Sequence, residues 1–360
     1  MATFDKRGKV WRARVNFKQN GKYHQKSKSG FKTKQQAQLW ASKMEVQKSE
    51  NVIVAENPSF GEYYKKWSET YRIPGKSTNT IGRYRHINVL IKKYFGNEKL
   101  NKVSRMEYQN FLNDYGKNHS KNSIQKVHGT ISACVHDAII DHLISTDFTA
   151  RANIIFDKNR TKDVQYLSVS QTKKLIEQAE SDLNPRYNSR YMIITAIYTG
   201  MRIGEIMALK WSDINFKSKT IDITKSYSYA SQKIKEPKTP SSIRTIRVNQ
   251  KLLNIIQQLK KYNHEYVFGT SFKTVPTPTA CNKVLKKLLK QCNINIPGFH
   301  FHSLRHTHTS ILLYKGVDLY AISQRLGHSN MSITAKVYAH MIDELKAKTD
   351  YRIEKILDTL

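Results

Sequence analysis

The C-terminal part of the chain combines a helical hydrophobic pattern with a concentration of reactive polar side chains. After Val284 the apolar residues recur at helical spacing, which predicts helices to the end of the chain. The segment His302-Ser303-Leu304-Arg305-His306-Thr307 lies in this region, Leu326-Gly327-His328 follows it, and Tyr338 stands ten residues further on. A histidine, an arginine, a second histidine and a tyrosine in this order are suited to the attack of a phenol on a phosphodiester.

Breaking a phosphodiester without hydrolysis requires a nucleophile that retains the phosphoryl group, cations for the non-bridging oxygens, a base and an acid. Tyr338 is the candidate nucleophile, although most of the 20 tyrosines are expected to be packing or surface groups. A phenol with a pKa near ~10 needs a base and a cationic neighbourhood to react at neutral pH. Arg202 and Arg305 are the candidate cations, because guanidinium has forked donors and stays charged. Arg202 could instead form only a salt bridge with Glu205.

The histidines around Arg305 raise the alternative of a metal site. His302 and His306 have the spacing of helical zinc ligands, and His300 and His308 lie beside them. Zinc would also need a nearby cysteine or carboxylate, but neither an H-E-x-x-H pattern nor an acidic neighbour accompanies these histidines. We therefore expect no metal and no bound cofactor.

The composition points to a basic protein that acts on a polyanion. Lysine plus arginine outnumber aspartate plus glutamate by 61 to 28, which gives a net charge of +33 and a pI near 9.9. Nucleic acid is the commonest partner of such a chain, although membrane surfaces and ribosomes also attract basic proteins. No stretch approaches the ~18 apolar residues of a membrane span, and the N-terminus lacks a signal core. Three scattered cysteines without a C-x-x-C pattern fit a reduced cytosol, namely Cys134, Cys281 and Cys292.

Residues 1–55 are expected to form a small separate unit. Apolar and polar residues alternate from Val10 to Lys18, which predicts a half-buried strand. Asn20-Gly21 predicts a hairpin turn, and Tyr23 to Ser27 would return as the partner strand. A capping-box pattern at Thr33 precedes residues at helical spacing. The unit is therefore predicted to be a three-stranded sheet with a helix on one face and arginine and lysine on the other.

Helices are predicted for most of the remaining chain, in two groups separated by a polar linker near residues 161–168. The first group is followed by a helix at residues 168–179 and a long apolar helical stretch that is interrupted at Thr199-Gly200. Two strands, residues 221–224 and 245–248, are predicted to be joined by a loop rich in lysine, proline and serine. The helices of the first group are expected near Phe60–Trp67, Thr80–Phe95, Ser104–Tyr115 and Lys121–Ile140.

The segments from Thr199 to Glu205 and from His302 to His340 resemble the tyrosine recombinases of the phage-integrase family. The resemblance implies that Tyr338 is the nucleophile, within Val337-Tyr338-Ala339-His340. It also implies that Arg202 and Arg305 clamp the phosphate, with Glu205 as a supporting partner. By the same resemblance His302 takes the tyrosine proton and His328 donates a hydrogen bond to a phosphate oxygen.

The general acid is the least defined position in this comparison. The resemblance implies a lysine on a β-hairpin turn that protonates the leaving 5′ oxygen. Lys233, Lys235 and Lys238 all lie in the corresponding region, and Pro237-Lys238-Thr239 fits the family pattern best. Lys235 is the next candidate, and Pro240 departs from the residues that the family usually has there.

The resemblance implies a fold and a domain order as well as a reaction. The fold is expected to be α+β and mainly α: a sheet-plus-helix arm-binding domain (1–55), a helical SAM-like core-binding domain (59–152), a mixed, mostly helical catalytic domain (165–345) and a C-terminal tail (346–360). The amphipathic tail could fold back on its own domain or dock onto a neighbouring protomer. The candidate DNA contacts are Arg12, Arg14, Lys18 and Lys22 in the first domain and Arg83, Arg85 and Lys121 in the second.

The implied function is site-specific recombination of double-stranded DNA in the bacterial cytoplasm by a homotetramer, through a 3′-phosphotyrosyl intermediate and a Holliday junction. Integration and excision of a phage or other mobile element, with an excisionase and a host DNA-bending protein as further partners, is the expected role. Two alternatives use similar residues or domains. A type IB topoisomerase would relax supercoils without a partner site, and a DNA-binding regulator would need only the basic domains. The N-terminal sheet argues against the first alternative, and the complete catalytic set argues against the second.

Overall fold

A computed structural model of the chain separates into two compact units, Met1–Thr161 and Lys162–Leu360. Its secondary structure is mainly helical with small antiparallel sheets, as the sequence predicted. No helix within the described ranges is long and apolar enough to cross a membrane. The structure describes residues 2–19, 22–49, 57–160, 164–229, 231–237, 239–262, 264–270, 275–332, 335, 354 and 357–358.

The N-terminal unit begins with an antiparallel sheet of strands β1 (Ala2–Arg7), β2 (Val10–Gln19) and β3 (Lys22–Phe31), in that spatial order. Helix α1 (Lys34–Ser49) covers one face. Alternation places every second residue of β2 under this helix, so that Ala13, Val15 and Phe17 are buried. The expected turn at Asn20-Gly21 lies outside the described residues. The opposite face carries the polar residues of β2.

The rest of the N-terminal unit is a helical bundle with a core of its own, rich in aromatic side chains. Capping boxes begin two of its helices, where Ser59 pairs with Glu62 and Ser104 with Glu107. A π-helical turn, Ser68–Arg72, extends the first helix and was not predicted. The helices are α2 (Phe60–Trp67), α3 (Thr78–Phe95), α4 (Arg105–Gly116) and α5 (Lys121–Ile140).

The C-terminal unit packs helices around one that is buried on nearly all sides, α7 (Ser189–Thr199). Strands β4 (Ile214–Asn215), β5 (Thr220–Ile223) and β8 (Arg244–Arg247) form an antiparallel sheet in that order. The other helices are α6 (Val169–Glu180), α8 (Ile203–Met207), α9 (Gln250–Gln257), α10 (Pro278–Gln291), α11 (Phe301–Tyr314) and α12 (Leu319–Leu326).

A short hairpin occupies part of the segment that the residue pattern predicted as a loop and in which the family resemblance implied a β-hairpin. Its strands are β6 (Ser226–Ser228) and β7 (Lys233–Lys235), and Ser226 pairs with Lys235. Three-residue strands are too short to show a periodic pattern, which is why the sequence did not reveal them. A side chain at Gly204 would meet the Ser226 Oγ at 2.5 Å, so glycine allows the hairpin to lie directly on α8.

The close contact of Gly116, at the end of α4, with the backbone of Ile155 can be tested by substitution. A methyl group at Gly116 would collide with the carbonyl oxygen of Ile155, whereas nothing lies within 4 Å of the corresponding position at Gly129 in α5. We expect Gly116→Ala to lower the free energy of unfolding by about 1–3 kcal/mol, since backbone must move to relieve the overlap. Chemical denaturation of the full-length protein measures the change.

Gly129→Ala is the matched control, because alanine is about 1 kcal/mol better than glycine in a helix interior. This control should leave the stability unchanged or raise it. Equal effects of the two substitutions would contradict the assignment of the close contact at Gly116.

Candidate active site

A glycine turn at the end of α7 places Arg202 at the start of α8. Gly200 adopts a left-handed conformation with φ of 68° and closes α7 with a bond from its N–H to the Ala196 carbonyl. A side chain at Gly200 would lie 2.7 Å from the ring of His308, so only glycine fits this turn. Two residues later Arg202 occupies the N-cap position of α8, with extended backbone and a side chain that is 37% exposed.

The Glu205 carboxylate is buried and receives two guanidinium groups. Nη1 of Arg202 donates to it at 2.8 Å, and Nη2 of Arg244, from the start of β8, donates at 2.9 Å. The backbone N–H of Arg202 adds a third bond at 2.9 Å. Burial by itself would raise the pKa of Glu205, but the hydrogen bond and charge of Arg244 and the charge of Arg202 lower it. The carboxylate therefore stays ionised and fixes both arginines.

Arg305 is 3% exposed and donates to two backbone carbonyl groups. Its Nη1 donates to the Gly200 carbonyl at 2.8 Å, and its Nη2 donates to the Leu326 carbonyl at 2.7 Å. The same Nη2 lies 2.9 Å from Nε2 of His328. Because a guanidinium can only donate, Nε2 of His328 accepts and the ring proton of a neutral His328 resides on Nδ1. Arg305 thus connects α7, α11 and the end of α12.

A second glycine turn brings His328 to this cluster. Gly327 ends α12 in the left-handed region with φ of 68°. A side chain there would approach the Ser241 carbonyl oxygen at 2.9 Å and Nη1 of Arg244 at 3.0 Å. Nε of Arg244 also donates to the Arg325 carbonyl at 2.6 Å. The Leu326-Gly327-His328 segment is therefore fixed between two buried arginines, one on β8 and one on α11.

The histidines of the site are neutral at physiological pH. Burial and the charge of Arg305 lower the pKa of His302 to about 4, and they do the same for His328. The charge of Arg202 contributes to both shifts, which indicates that all four side chains share one electrostatic environment. Burial and the adjacent His302 ring lower the pKa of His306 to about 4.

His308, which is buried, forms a hydrogen-bonded pair with the partly buried Arg325 that the sequence pattern did not predict. Nδ1 of His308 lies 2.8 Å from the Ile197 carbonyl and donates to it, so Nε2 can accept the 3.1 Å bond from Nε of Arg325. The guanidinium of Arg325 also donates to the carbonyl groups of Arg247 and Tyr198. The pair links α7, α11, α12 and β8 immediately before His328.

Arg244 was not predicted as a site residue, although its position in a strand pattern could have indicated it. It shares the inward face of β8 with Ile246, and an arginine at an inward strand position requires a buried partner. Its partner Glu205 lies 39 positions earlier in the chain, too far for local periodicity to reveal.

The structure brings four of the six predicted catalytic residues together, namely Arg202, His302, Arg305 and His328. Lys238 and Tyr338 lie outside the described residues, as does most of the predicted amphipathic tail. Lys235 lies on β7 and is partly exposed, and Lys233 on the same strand is exposed. Within the described ranges, no group of three or more histidine, cysteine or acidic side chains could hold a metal ion.

The candidate DNA contacts of the N-terminal unit fall into two groups. On the sheet, Arg12 and Arg14 both donate to Asp5. The side chains of Lys18 and Lys22 lie outside the described part of the structure. Three others are exposed on the helical bundle: Arg83, which lies over the Tyr84 ring, Arg85, and Lys121, which lies over the Phe156 ring.

The buried histidine makes the stability of the C-terminal unit dependent on pH. Burial and the charge of Arg325 lower the pKa of His308 to about 3, whereas an unfolded histidine has a pKa near ~6.5. Below pH ~6.5 the unfolded chain therefore binds a proton that the folded protein excludes. We expect the stability contribution of His308 to be complete above that pH and to fall by about 1.4 kcal/mol per pH unit below it.

Urea unfolding of wild type and His308→Gln between pH 7 and 5 measures this contribution. Glutamine keeps a neutral hydrogen-bonding side chain but does not titrate. The free energy of unfolding of the variant should therefore fall less steeply with decreasing pH than that of wild type, by the contribution of His308. Identical slopes for the two proteins would contradict the prediction.

Three models of known protein families match successive stretches of the chain. The model described as the phage integrase family matches residues 165–344, which is half of the chain. An arm DNA-binding domain matches residues 3–48, and the N-terminal SAM-like domain of phage integrases matches residues 59–115. These matches give no support to the topoisomerase and regulator alternatives.

The chain is also similar to individual integrases, both in sequence and in fold. The integrase of Staphylococcus phage L54a is 26% identical over 335 residues, which cover 83% of this chain and 93% of that protein. The ICEBs1 integrase of Bacillus subtilis is 25% identical, with coverage of 75% and 76%. The fold is similar to that of the Tn1549 transposon integrase in complex with circular intermediate DNA, with a TM-score of 0.69, 19% identity and coverage of 82% and 99%. It is also similar to a lambda integrase tetramer bound to a Holliday junction, with a TM-score of 0.61, 16% identity and coverage of 91% and 95%.

The solved structures confirm the predicted α+β, mainly helical fold. With a family match over half of its length and integrases among its relatives, the chain belongs to the phage integrase family and is a tyrosine-type site-specific recombinase.

Proposed function

We propose that this recombinase integrates a mobile DNA element such as a phage at a specific site and also excises it. The observation that carries the proposal is the convergence of two arginines and two neutral histidines around a buried carboxylate: Arg202, Arg305, His302, His328 and Glu205. Such a cluster is cationic and rich in donors, which suits a phosphate that gains charge in the transition state. The integrases of a phage and of ICEBs1 among the relatives support the role in a mobile element.

Tyr338 attacks the scissile phosphate, forms a 3′-phosphotyrosyl bond and releases a 5′ hydroxyl. His302 is the base that takes the phenolic proton, a role that requires the neutral form which its lowered pKa provides. Arg202 and Arg305 bind the non-bridging oxygens, since a guanidinium remains charged and presents several donors. His328 donates a further hydrogen bond to the phosphate. Arg244 is a positioning residue that acts through Glu205.

The 5′ oxygen leaves with a proton from Lys238, with Lys235 as the alternative donor. Attack of this hydroxyl on the phosphotyrosine of a partner duplex then joins the exchanged strands. Two such exchanges, separated by a Holliday junction, complete recombination. Because the phosphotyrosyl bond conserves the energy of the phosphodiester, the reaction needs neither ATP nor a metal ion.

The domains divide the binding of double-stranded DNA between them. Residues 1–55 bind arm-type sites through the sheet, residues 59–152 and 165–345 grip the core site, and residues 346–360 dock onto a neighbouring protomer in a homotetramer. An excisionase and a host DNA-bending protein set the direction of the reaction. The protein works on DNA in the bacterial cytoplasm. Its net charge of +33 supports the binding of a polyanion.

Substitution of the proposed nucleophile tests the central step. Wild type should form a covalent adduct with nicked duplexes from the DNA that flanks its gene, because the nick lets the cleaved end diffuse away. Tyr338→Phe should bind the same duplexes and form no adduct, since phenylalanine has no hydroxyl to attack the phosphorus. Denaturing gels measure the adduct. Adduct formation by the variant would show that another residue is the nucleophile.

The identity of the general acid can be tested by a change in the substrate. We expect Lys238→Ala to slow cleavage by about 10²–10⁴-fold, the usual contribution of general acid catalysis. A bridging sulfur in place of the 5′ oxygen leaves without protonation and should restore the rate of this variant. Single-turnover cleavage of the two substrates measures the restoration.

Lys235→Ala is the matched control, because it removes the same charge from the same region. It should slow the cleavage of both substrates equally or not at all. Selective restoration of Lys235→Ala by sulfur would assign the acid to Lys235 instead.

A further inference from the structure

The outer face of the N-terminal sheet contains a carboxylate where a DNA-binding surface would be expected to be wholly basic. Asp5 is the single acidic residue among residues 1–44, which contain many lysines and arginines. Its neighbour across the strands is Arg12, and Arg14 lies two residues further along the same face. The opposite face is covered by α1, so this outer face is the one that a ligand can reach.

Asp5 holds both arginines through a defined set of hydrogen bonds. Nε and Nη2 of Arg12 donate to its two carboxylate oxygens at 3.0 and 2.6 Å, and Nη2 of Arg14 donates at 3.2 Å. Arg7 approaches the same carboxylate at 3.8 Å. The hydrogen bond from Arg12 lowers the pKa of Asp5, so the group is ionised at physiological pH. The side chains of Arg12 and Arg14 remain 18% and 34% exposed.

The geometry of the Arg12 pair leaves one edge of the guanidinium directed away from the carboxylate. A guanidinium has five N–H donors, and the side edge of Arg12, formed by Nε and Nη2, faces Asp5. The end edge, formed by Nη1 and the second hydrogen of Nη2, has the spacing to donate to O6 and N7 of one guanine. Fixing the side chain in advance also reduces the entropy lost when it binds.

The carboxylate changes what these arginines can bind. Arginine side chains that are free to rotate mostly bind phosphate groups, and such contacts carry no sequence information. Asp5 repels phosphate groups but does not repel the uncharged acceptors of a base edge. The major groove, about 12 Å wide, also admits a ribbon of two strands, and Asp5, Arg12 and Arg14 lie on the adjacent strands β1 and β2.

We propose that Asp5 orients Arg12 and Arg14 to read guanine in the major groove of double-stranded DNA, which makes this carboxylate a determinant of base specificity. The inference rests on the proposed binding of DNA by the sheet, and it adds the base that is read and the residue that directs the reading.

Selection from a pool of duplexes with a randomised central segment tests the proposal with the full-length protein. An Arg12→Ala/Arg14→Ala variant first identifies which selected positions depend on the sheet. At those positions wild type should prefer guanine by about tenfold or more, in line with a bidentate arginine contact. Asp5→Asn should lose this preference while its binding to unselected duplexes stays equal or becomes stronger.

Asp114→Asn is the charge-matched control, since Asp114 bonds to Tyr94 and Lys117 on the helical bundle. This variant should keep the guanine preference of wild type. An Asp5→Asn variant that also keeps it would overturn the proposal and reduce Asp5 to a cross-strand ion pair.

A change in the DNA provides a measurement that does not depend on the folding of a variant. Replacing the selected guanines by 7-deazaguanine removes the N7 acceptor and leaves base pairing intact. Wild type should bind this duplex about tenfold more weakly, whereas Asp5→Asn should bind both duplexes alike. Equal binding of the two duplexes by wild type would overturn the proposal.

A different result is expected if the N-terminal sheet does not bind DNA at all. If the Arg12→Ala/Arg14→Ala variant selects the same sequences as wild type, Arg12 and Arg14 do not read DNA and the inference is wrong. If the variant also binds these sequences as tightly as wild type, the two arginines have no part in arm binding either. The covalent adduct of Tyr338 would still form in that case, so the recombinase activity is tested separately.

Discussion

The ion pairs of the buried Glu205 carboxylate are the interaction on which the arrangement of the C-terminal unit depends. A carboxylate removed from water is tolerated only when it is paired and hydrogen-bonded. Arg202 and Arg244 meet this requirement from two different elements, one at the start of α8 and one on β8. Because Arg244 also donates to the Arg325 carbonyl, the same carboxylate fixes the end of α12. One acid thus determines the positions of two arginines and of the segment that carries His328.

The second constraint is the hydrogen bonding of Arg305 to two backbone carbonyl groups. Two left-handed glycines, Gly200 and Gly327, create the turns beside these carbonyl groups and allow the backbone to approach closely. Burial and the charge of Arg305 lower the pKa of both nearby histidines. The result is a cluster of cations and neutral imidazoles, an environment that suits a phosphate group.

In both units a carboxylate fixes the orientation of arginine side chains. In the C-terminal unit Glu205 orients Arg202, and on the N-terminal sheet Asp5 orients Arg12 and Arg14. A single carboxylate in a strongly basic chain removes little of the electrostatic attraction to DNA, which acts over a distance. The carboxylate does restrict the rotation of the arginine side chains that it contacts. The N–H donors of these arginines therefore point in fixed directions.

The helices and the catalytic candidates could be predicted from the sequence because both are expressed in local spacing. The helix at Lys121–Ile140 follows from hydrophobic periodicity, and Arg202, His302, Arg305 and His328 follow from short motifs. The hairpin at Ser226–Lys235 could not be predicted from hydrophobic alternation, since its strands are too short to show it, and only the family resemblance implied a hairpin there. Tertiary structure alone decided the pairing of Glu205 with Arg244 and the pairing of His308 with Arg325. Those contacts join residues far apart in the chain, and they depend on burial, which local spacing does not encode.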